Sequence, residues 1–261
     1  MVNLPETSTL FCTQNGYIFT ITLNRRKKLN AFNEDMFNDL EQIIKIISNT
    51  PEIRVVIITG AGKAFSSGGD IDDMLKYHHQ SEKIFFEKHL QYAQSVFNLL
   101  EALKQPTIAA INGSAMGAGF QIALACDFRI LAEEADMGLK DVKIGIIPAL
   151  GASTRLVELI GLSKAKELIL LGDPINSKQA LAMGLVTYIV PGKELNKTVL
   201  NLAEKLIANA PLAVFAAKNL LNSKSSLVQA AKVQIELFKT FDAGEGITSF
   251  LEKRRPSFVG S

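Results

Sequence analysis

The chain has 261 residues, of which 48% are hydrophobic and 21% charged, and its formal net charge is +2. That length suits one large domain, and the small net charge argues against nucleic acid or a membrane surface as partner. The sequence contains no apolar run of the roughly 18 residues that a membrane-spanning helix needs. Two cysteines cannot form a disulfide framework, and the first residues lack the features of a signal peptide. We therefore expect a soluble cytoplasmic protein.

The first part of the chain alternates between strand and helix patterns. Residues 11–23 predict a β-hairpin around the turn pair Asn15-Gly16. Residues 32–48 repeat apolar side chains every three or four positions, which is typical of an amphipathic helix. The β-branched run that begins at Val55 predicts a strand. A strand, a helix and a second strand in this order indicate a right-handed βαβ unit.

Residues 72–105 are mostly helical in pattern and contain all three histidines of the chain, His78, His79 and His89. Adjacent side chains on a helix do not face the same way, and no cysteine or acidic pattern accompanies the histidines. We therefore expect no metal site here, and we interpret the three histidines as solvated surface residues.

The second half continues the alternation and then becomes helical. The expected strands and extended segments are 108–111, 128–132, 137–148 and 185–190, and the expected helices are 120–126, 154–160, 163–171 and 178–183. Gly161 joins two of these helices, and Ser177 is the predicted N-cap of the last one. The pattern from Leu195 to Arg255 is helical throughout. This order predicts an α/β core with a helical C-terminal part.

Two predicted strands end in glycine-rich turns. The strand from Val55 leads into a segment that contains Gly68-Gly69, and the strand at 108–111 leads into Gly117-Ala118-Gly119. Glycine lets a ligand approach the backbone closely, and the first N–H groups of a helix have no partner inside the helix. Two such turns can direct two N–H groups at one developing negative charge, as in an oxyanion hole. The alternative is that both are simply tight turns.

Several better-known motifs are excluded by their spacing. The segment Gly60-Ala61-Gly62-Lys63 is not a phosphate-binding loop, because Ala64 stands where Ser or Thr is required. The glycines between 113 and 119 do not have the spacing of a dinucleotide-binding turn. No serine has the flanking glycines of a nucleophile elbow, so nucleophilic serine chemistry is poorly supported.

Residues 63–71 and 112–119 together resemble the crotonase superfamily, the enoyl-CoA hydratase/isomerase family. Further matching motifs occur in the family's order over nearly the whole chain, at 23–25, 29–31, 172, 180, 184–186 and 250–254. The resemblance implies an α/β fold, a crotonase-like spiral of ββα and βαβ units. It implies a core over 1–195 and a C-terminal helical region over 196–261, which belongs to the same domain, builds a homotrimer or a dimer of trimers and completes the coenzyme A site.

The resemblance also assigns the reacting groups. The oxyanion hole falls on the N–H groups of Gly69 and Ala118, and the two glutamates of family hydratases fall on Gln121 and Asp141. Gln121 is an amide that can hold substrate or water but cannot exchange a proton at neutral pH. Asp141 can exchange one, although its side chain is one methylene shorter than that of glutamate. Ala149 stands where dienoyl-CoA isomerases have a further acid, so their two-acid shuttle is absent.

Coenzyme A is expected as part of the substrate, with no separate cofactor. By the family motifs, Lys27, Lys28 and Leu29 line the adenine and its phosphates. The ammonium group of lysine is a compact positive charge that can bind a phosphate. Ser67, Asp70 and Ile71 border the pantetheine, and Phe250 and Lys253 come from the C-terminal helix. Taken singly, each of these lysines could equally be an ordinary solvent-exposed residue.

The residues rank the reactions that the resemblance allows. Isomerisation of a Δ3- to a Δ2-enoyl-CoA comes first, because one acid/base, Asp141, suffices to take a proton from C2 and return it to C4. Hydration of an enoyl-CoA comes second, and decarboxylation or hydrolysis of an acyl-CoA stays open. An acyl-CoA-binding protein without catalysis is the alternative from another class, and the missing first glutamate at Gln121 favours it slightly.

Overall fold

The structure is a computed structural model that describes residues 5–79 and 83–261. The strands in these ranges are β1 (Leu10–Asn15), β2 (Ile18–Leu23), β3 (Val55–Gly60), β4 (Ala64–Ser66), β5 (Thr107–Ile111), β6 (Ser114–Met116), β7 (Phe128–Ala132), β8 (Asp136–Gly138), β9 (Ile175–Asn176) and β10 (Tyr188–Val190). The α-helices are α1 (Glu34–Ser48), α2 (Ile71–His79), α3 (Lys83–Glu101), α4 (Ala118–Leu124), α5 (Ala152–Leu171), α6 (Ser177–Ala182), α7 (Leu195–Ile207), α8 (Pro211–Asn222), α9 (Leu227–Phe238) and α10 (Phe241–Leu251).

The strands form two sheets that the chain visits in turn. The larger sheet has the order β1-β2-β3-β5-β7-β10, and the smaller has the order β4-β6-β8-β9. The long strands β3, β5 and β7 each lead directly into a short strand of the smaller sheet, β4, β6 and β8. Helices then return the chain to the next long strand, which is parallel to the previous one. Three such turns give the spiral that the resemblance implies.

Helices cover both faces of the larger sheet, which explains why its central strands are mostly apolar rather than alternating. Along β3, Val55 and Ile57 pack with Leu195 and Val199 of α7. The intervening Val56 and Ile58 belong to the main core on the other face, with the buried side of α1. Successive strand residues point to opposite faces, so one short run serves two cores. Each buried aliphatic side chain contributes roughly 1.5–3 kcal/mol.

The hairpin and the first helix are confirmed. β1 and β2 pair antiparallel across the predicted turn. The α1 helix begins at Glu34, because the Asn33 side chain accepts a hydrogen bond from the backbone N–H of Met36 at 3.1 Å and so acts as N-cap. The helices on either side of residue 161 are also present, since Gly161 is the one non-helical residue inside α5.

Two local predictions are wrong. Residues 137–148 are not extended throughout, because β8 ends at Gly138 and a 3-10 helix follows at Asp141–Ile144. This helix curls the chain back toward the neighbouring strand ends. The N-cap of α6 is Asn176 rather than Ser177, because the Asn176 and Gln179 side chains bond reciprocally to each other's backbone N–H groups in a capping box.

The C-terminal helices α8–α10 follow the core in sequence, and α8 contacts it through polar groups. Nζ of Lys218 in α8, a nearly buried lysine, lies 2.7 Å from Oδ2 of Asp127.

Within the described residues, no single helix is long and apolar enough to cross a membrane. The helical segments Gly192–Ile207 and Pro211–Asn222, which are bent by 103° relative to each other, pass that test only as a pair.

Candidate active site

Two glycine turns lie side by side because β4 and β6 are parallel neighbours and end at the same edge of the smaller sheet. Gly68 has a φ of 111° and Gly117 a φ of 48°, which L side chains rarely adopt. A Cβ atom on Gly68 would lie 3.1 Å from the carbonyl oxygen of Met116, and one on Gly117 would lie 3.6 Å from Cα of Gly68. Both turns therefore need glycine for their backbone angles, and the first also needs it for its close contact with Met116.

The predicted hole residues follow these glycines directly. Neighbouring bonds hold the first turn in place, because Phe32 donates to the carbonyl of Gly68 at 2.7 Å and Asp70 donates to the carbonyl of Phe32 at 2.8 Å. In the described part of the chain, the N–H groups of Gly69 and Ala118 have no acceptor. The N–H of Ala118 also lies at the positive end of α4. This arrangement suits an oxygen that becomes negative.

Both turns open into a cavity of about 700 Å³. Asp141, the first residue of the 3-10 helix, lies in its wall, and its carboxylate oxygen Oδ2 is 3.9 Å from the position of a Cβ atom on Gly117. That oxygen is buried and has no hydrogen-bond partner within residues 5–79 and 83–261. Burial raises the pKa of Asp141 above the usual range of an aspartate. A carboxylate in this state is a stronger base than one in water.

Gln121 lies one turn along α4 from Ala118 and is 2% exposed. Its side-chain oxygen Oε1 accepts hydrogen bonds from the backbone N–H groups of Leu150 at 2.7 Å and Ala152 at 3.3 Å. The amide oxygen is therefore occupied by the loop that precedes α5. Gln121 also lines the cavity, so the amide nitrogen, which is a donor only, is the polar group it has left for a ligand.

The same loop is held from two further sides. Gln94 of α3 donates to the carbonyl of Ala149 at 2.7 Å, and Arg155 donates to the carbonyl of Leu150 at 2.9 Å. Arg155 is nearly buried and is itself fixed by a two-point contact with Glu101 at 3.0 and 2.8 Å. These residues were not predicted from the sequence. The available signal was an arginine directly before the apolar pair Leu156-Val157 at the start of a helix, since an arginine that becomes buried requires an acidic partner.

Six of the eight residues predicted for coenzyme A lie close together, and three of the six line the cavity. Lys27 and Lys28 belong to an exposed 3-10 turn, and Leu29 follows it with a φ of 50°. Ser67 joins this turn to the first glycine turn, because its backbone N–H donates to the carbonyl of Leu29 at 2.9 Å. Ser67, Asp70 and Ile71 line the cavity.

Asp70 has a structural partner, Arg25, that was not predicted from the sequence. Its carboxylate lies 2.9 Å from Nη2 of Arg25 and 3.9 Å from Nζ of Lys28. Burial alone would raise the pKa of Asp70, but the hydrogen bonds and charge from Arg25 outweigh it and lower that pKa. Asp70 therefore stays ionised and holds the Lys28 turn against the cavity wall.

Phe250 and Lys253 are not brought to this cavity. Phe250 lies on α10 with 83% of its surface exposed, and Lys253 follows the end of that helix with a φ of 53°. Neither residue is among those that line the cavity of the single chain.

The interpretation of the histidines is wrong for His89. It is half-buried and lines the cavity, with its Nδ1 3.3 Å from the hydroxyl of Tyr77. Its position on the inner side of α3 could not be read from the spacing of the histidines. His78 is exposed as predicted, and the side chain of His79 lies outside the described residues. Among the side chains that are described, no three His, Cys, Asp or Glu are grouped to hold a metal.

Comparisons with known proteins agree with one another. Residues 13–261 match the family model described as enoyl-CoA hydratase/isomerase. A short-chain-enoyl-CoA hydratase of Clostridium acetobutylicum is 36% identical over 257 residues, which cover 96% of this chain and 97% of that protein. A putative enoyl-CoA hydratase/isomerase of Bacillus subtilis is 38% identical over 260 residues, covering 97% and 98%. The crystal structure of an enoyl-CoA hydratase from Bacillus anthracis is similar with a TM-score of 0.89 and 35% identity, covering 97% of this chain and all of that one.

Proposed function

The chain belongs to the enoyl-CoA hydratase/isomerase family, and we propose that it moves the double bond of an enoyl-CoA thioester from C3 to C2 with Asp141 as the acid/base. It is an enzyme of the crotonase superfamily, and its close structural relatives share the fold. The contrast between two neighbouring positions supports the choice of reaction. Asp141 offers an unpartnered, buried carboxylate oxygen, whereas Gln121 offers an amide whose oxygen is already bonded.

The proposed step needs one base and two backbone donors. The thioester oxygen accepts hydrogen bonds from Gly69 and Ala118, which stabilise the negative charge that forms there. Asp141 takes a proton from C2, and the electrons of that C–H bond form a double bond between C1 and C2 while the π electrons of the carbonyl move onto the thioester oxygen. When the carbonyl re-forms, the electrons between C1 and C2 shift to form the new C2–C3 double bond, and the electrons of the former C3–C4 double bond take the proton back from Asp141 at C4. The carboxylate is regenerated, so no second ionisable group and no water take part.

The coenzyme A portion of the substrate is proposed to lie along the turn of Lys27, Lys28 and Leu29, which is joined to the cavity wall through Ser67, with Ser67, Asp70 and Ile71 beside the pantetheine. The exposed lysines provide positive charge for phosphates. Coenzyme A enters as part of the substrate, and the proposed reaction uses no other cofactor.

We propose that the chain forms a homotrimer or a dimer of trimers in the cytoplasm. Its helices α8–α10 carry large apolar side chains with high exposure, among them Leu221, Leu227, Phe238, Phe250 and Leu251. Apolar surface of this extent is typical of a protein interface. In such an assembly Phe250 and Lys253, which are remote from the cavity of their own chain, are proposed to complete a coenzyme A site.

Hydration is the second candidate, because the Clostridium acetobutylicum and Bacillus anthracis proteins are both named as enoyl-CoA hydratases. Adding water requires one group to activate the water and another to exchange a proton with carbon. In this chain Gln121 offers only a donor for that water, so Asp141 would have to perform both tasks. Hydration should therefore be the slower reaction.

A turnover comparison tests the proposal. Purified protein is given 3-hexenoyl-CoA or 2-hexenoyl-CoA; the two isomers are separated by chromatography and identified against standards, and the hydrated product is identified by its mass. We expect 3-hexenoyl-CoA to be converted to its 2-enoyl isomer at least about tenfold faster than 2-hexenoyl-CoA is hydrated. Hydration at the same rate or faster would replace isomerisation by the second candidate, and turnover of neither would contradict both.

A further inference from the structure

The cavity extends well beyond the reacting centre. Its far end is formed by residues from α1, α2 and α3, among them Phe37, Tyr77, Phe86, His89 and Ala93. A four-carbon acyl group occupies on the order of 100 Å³, if each heavy atom takes about the volume of a water molecule. Even with the end of the pantetheine arm inside, much of the roughly 700 Å³ cavity remains for a longer acyl group.

Apart from the carboxylate of Asp73, this far end is apolar except for one neutral pair. The hydroxyl of Tyr77 lies 3.3 Å from Nδ1 of His89, and the two rings are 4.5 Å apart between centroids. Phe37 packs edge-on against His89 at 6.1 Å between centroids. Burial lowers the pKa of His89 and raises that of Tyr77 to about 12, so both are uncharged at neutral pH.

The pair presents a hydrogen-bond donor. A neutral imidazole nitrogen is a better acceptor than a phenol oxygen, so Tyr77 donates to Nδ1 and the ring proton of His89 resides on Nε2. Among the described residues, no group accepts a hydrogen bond from that nitrogen. An acyl chain with an oxygen at this depth can therefore satisfy a donor that an all-carbon chain leaves unsatisfied.

Charge decides which oxygen fits. The negative charges of the Glu34 and Asp73 carboxylates reach both His89 and Tyr77. Each charge favours the protonated form of the imidazole and of the phenol, and so raises both pKa values. A second negative charge from a carboxylate at the end of the acyl chain would be repelled by this field. A ketone or hydroxyl accepts the same hydrogen bond without that cost.

We propose that Tyr77 and His89 form a specificity site for acyl-CoA thioesters whose chain has a neutral oxygen, a ketone or a hydroxyl, far from the thioester. This inference rests on the proposed function, because it assumes that the acyl group occupies this cavity. It concerns selection of the substrate, and neither residue takes part in the proton transfer.

Binding of saturated, unreactive thioesters tests the proposal directly. Calorimetry compares octanoyl-CoA with eight-carbon analogues that have a ketone at C5, C6 or C7, with suberyl-CoA, which ends in a carboxylate, and with butyryl-CoA. We expect at least one ketone to bind about three- to tenfold more tightly than octanoyl-CoA, as one hydrogen bond allows. Suberyl-CoA should bind more weakly than octanoyl-CoA.

Variants then locate the effect. Tyr77→Phe and His89→Phe should each abolish the preference for the ketone and leave the affinity for butyryl-CoA within about twofold. Tyr92→Phe removes a phenol hydroxyl that bonds to Glu41 and does not line the cavity, so this control should keep the preference. Equal binding of ketones and octanoyl-CoA, or a preference that survives both variants, would overturn the specificity site while leaving the proposed function intact. Failure of every thioester to bind would overturn both.

Discussion

Replacing Gln121 by glutamate isolates the difference between a one-base and a two-base site. The change exchanges the amide nitrogen for an oxygen with little change in size. The other side-chain oxygen keeps its acceptor role toward the N–H groups of Leu150 and Ala152, at 2.7 and 3.3 Å. The loop before α5 should therefore stay in place, and the new carboxylate oxygen should occupy the position of the amide nitrogen.

The two N–H groups decide how the carboxylate pair titrates. Hydrogen bonds to an ionised group stabilise it by roughly 1.5–3 kcal/mol, whereas Asp141 has an unpartnered oxygen. The negative charge should therefore settle at position 121, and repulsion should raise the already elevated pKa of Asp141 further. Position 121 then serves as base for water and Asp141 as acid for C2.

We expect Gln121→Glu to raise hydration of crotonyl-CoA by about 10²-fold. That is the lower end of the usual contribution of a general base, because the N–H groups that stabilise the new carboxylate also weaken it as a base. The assay follows loss of the conjugated thioester absorbance. Gln179→Glu makes the same charge change at an exposed position of α6 and should have no effect. If the wild type already hydrates crotonyl-CoA as fast as Gln121→Glu, a second ionisable group is unnecessary and isomerisation is wrongly ranked first.

Three further predictions concern pH, substrate binding and stability. Isomerisation needs ionised Asp141, so kcat/KM should fall as the pH drops through the pKa of that residue. The midpoint should lie above the usual aspartate value of about 3.9. A midpoint at or below that value would contradict the effect of burial. Asp70→Asn removes the partner of Arg25 and should weaken binding of acetoacetyl-CoA about three- to tenfold in calorimetry. Added salt should weaken binding to the wild type. Unchanged affinity of Asp70→Asn would show that Asp70 does not support coenzyme A binding. Lys218→Met leaves the half-buried Asp127 without its ion pair and should lower the free energy of unfolding in urea by about 2–3 kcal/mol; a loss below about 0.5 kcal/mol would mean that the pair is not a significant tie between α8 and the core.

The sequence predicts the fold well where a local rule applies. The Asn15-Gly16 hairpin, the apolar β3 and the break at Gly161 each depend on a few adjacent residues, and all three are present. Gly68 and Gly117 were recognised because turns of this kind need a residue without a side chain, and both have positive φ. One-residue choices are less secure, since Asn176 and Ser177 are both good N-caps and only the reciprocal bond of Gln179 decides between them.

The site is harder to predict because its key contacts join distant parts of the chain. Nothing near Gln121 in sequence indicates that its oxygen is bonded to Leu150 and Ala152. The sequence similarly predicts His89 to be a surface residue, and only the packing of α3 over the cavity shows that it lines the cavity. The family motifs predicted Asp141 as the acid/base. Its burial and the resulting rise in its pKa depend on the 3-10 helix at Asp141–Ile144, which the sequence pattern predicted as an extended segment.

The most direct test of the account is the effect of Asp141→Asn on isomerisation. Conversion of 3-hexenoyl-CoA to its 2-enoyl isomer is followed by absorbance, and binding of acetoacetyl-CoA is measured on the same protein. Asp136→Asn, the same change at an exposed residue of β8 that does not line the cavity, is the control. The account predicts that kcat falls by about 10²–10⁴ in Asp141→Asn alone, with the dissociation constant within about threefold. An unchanged kcat would show that another group moves the proton and would contradict the central role of Asp141.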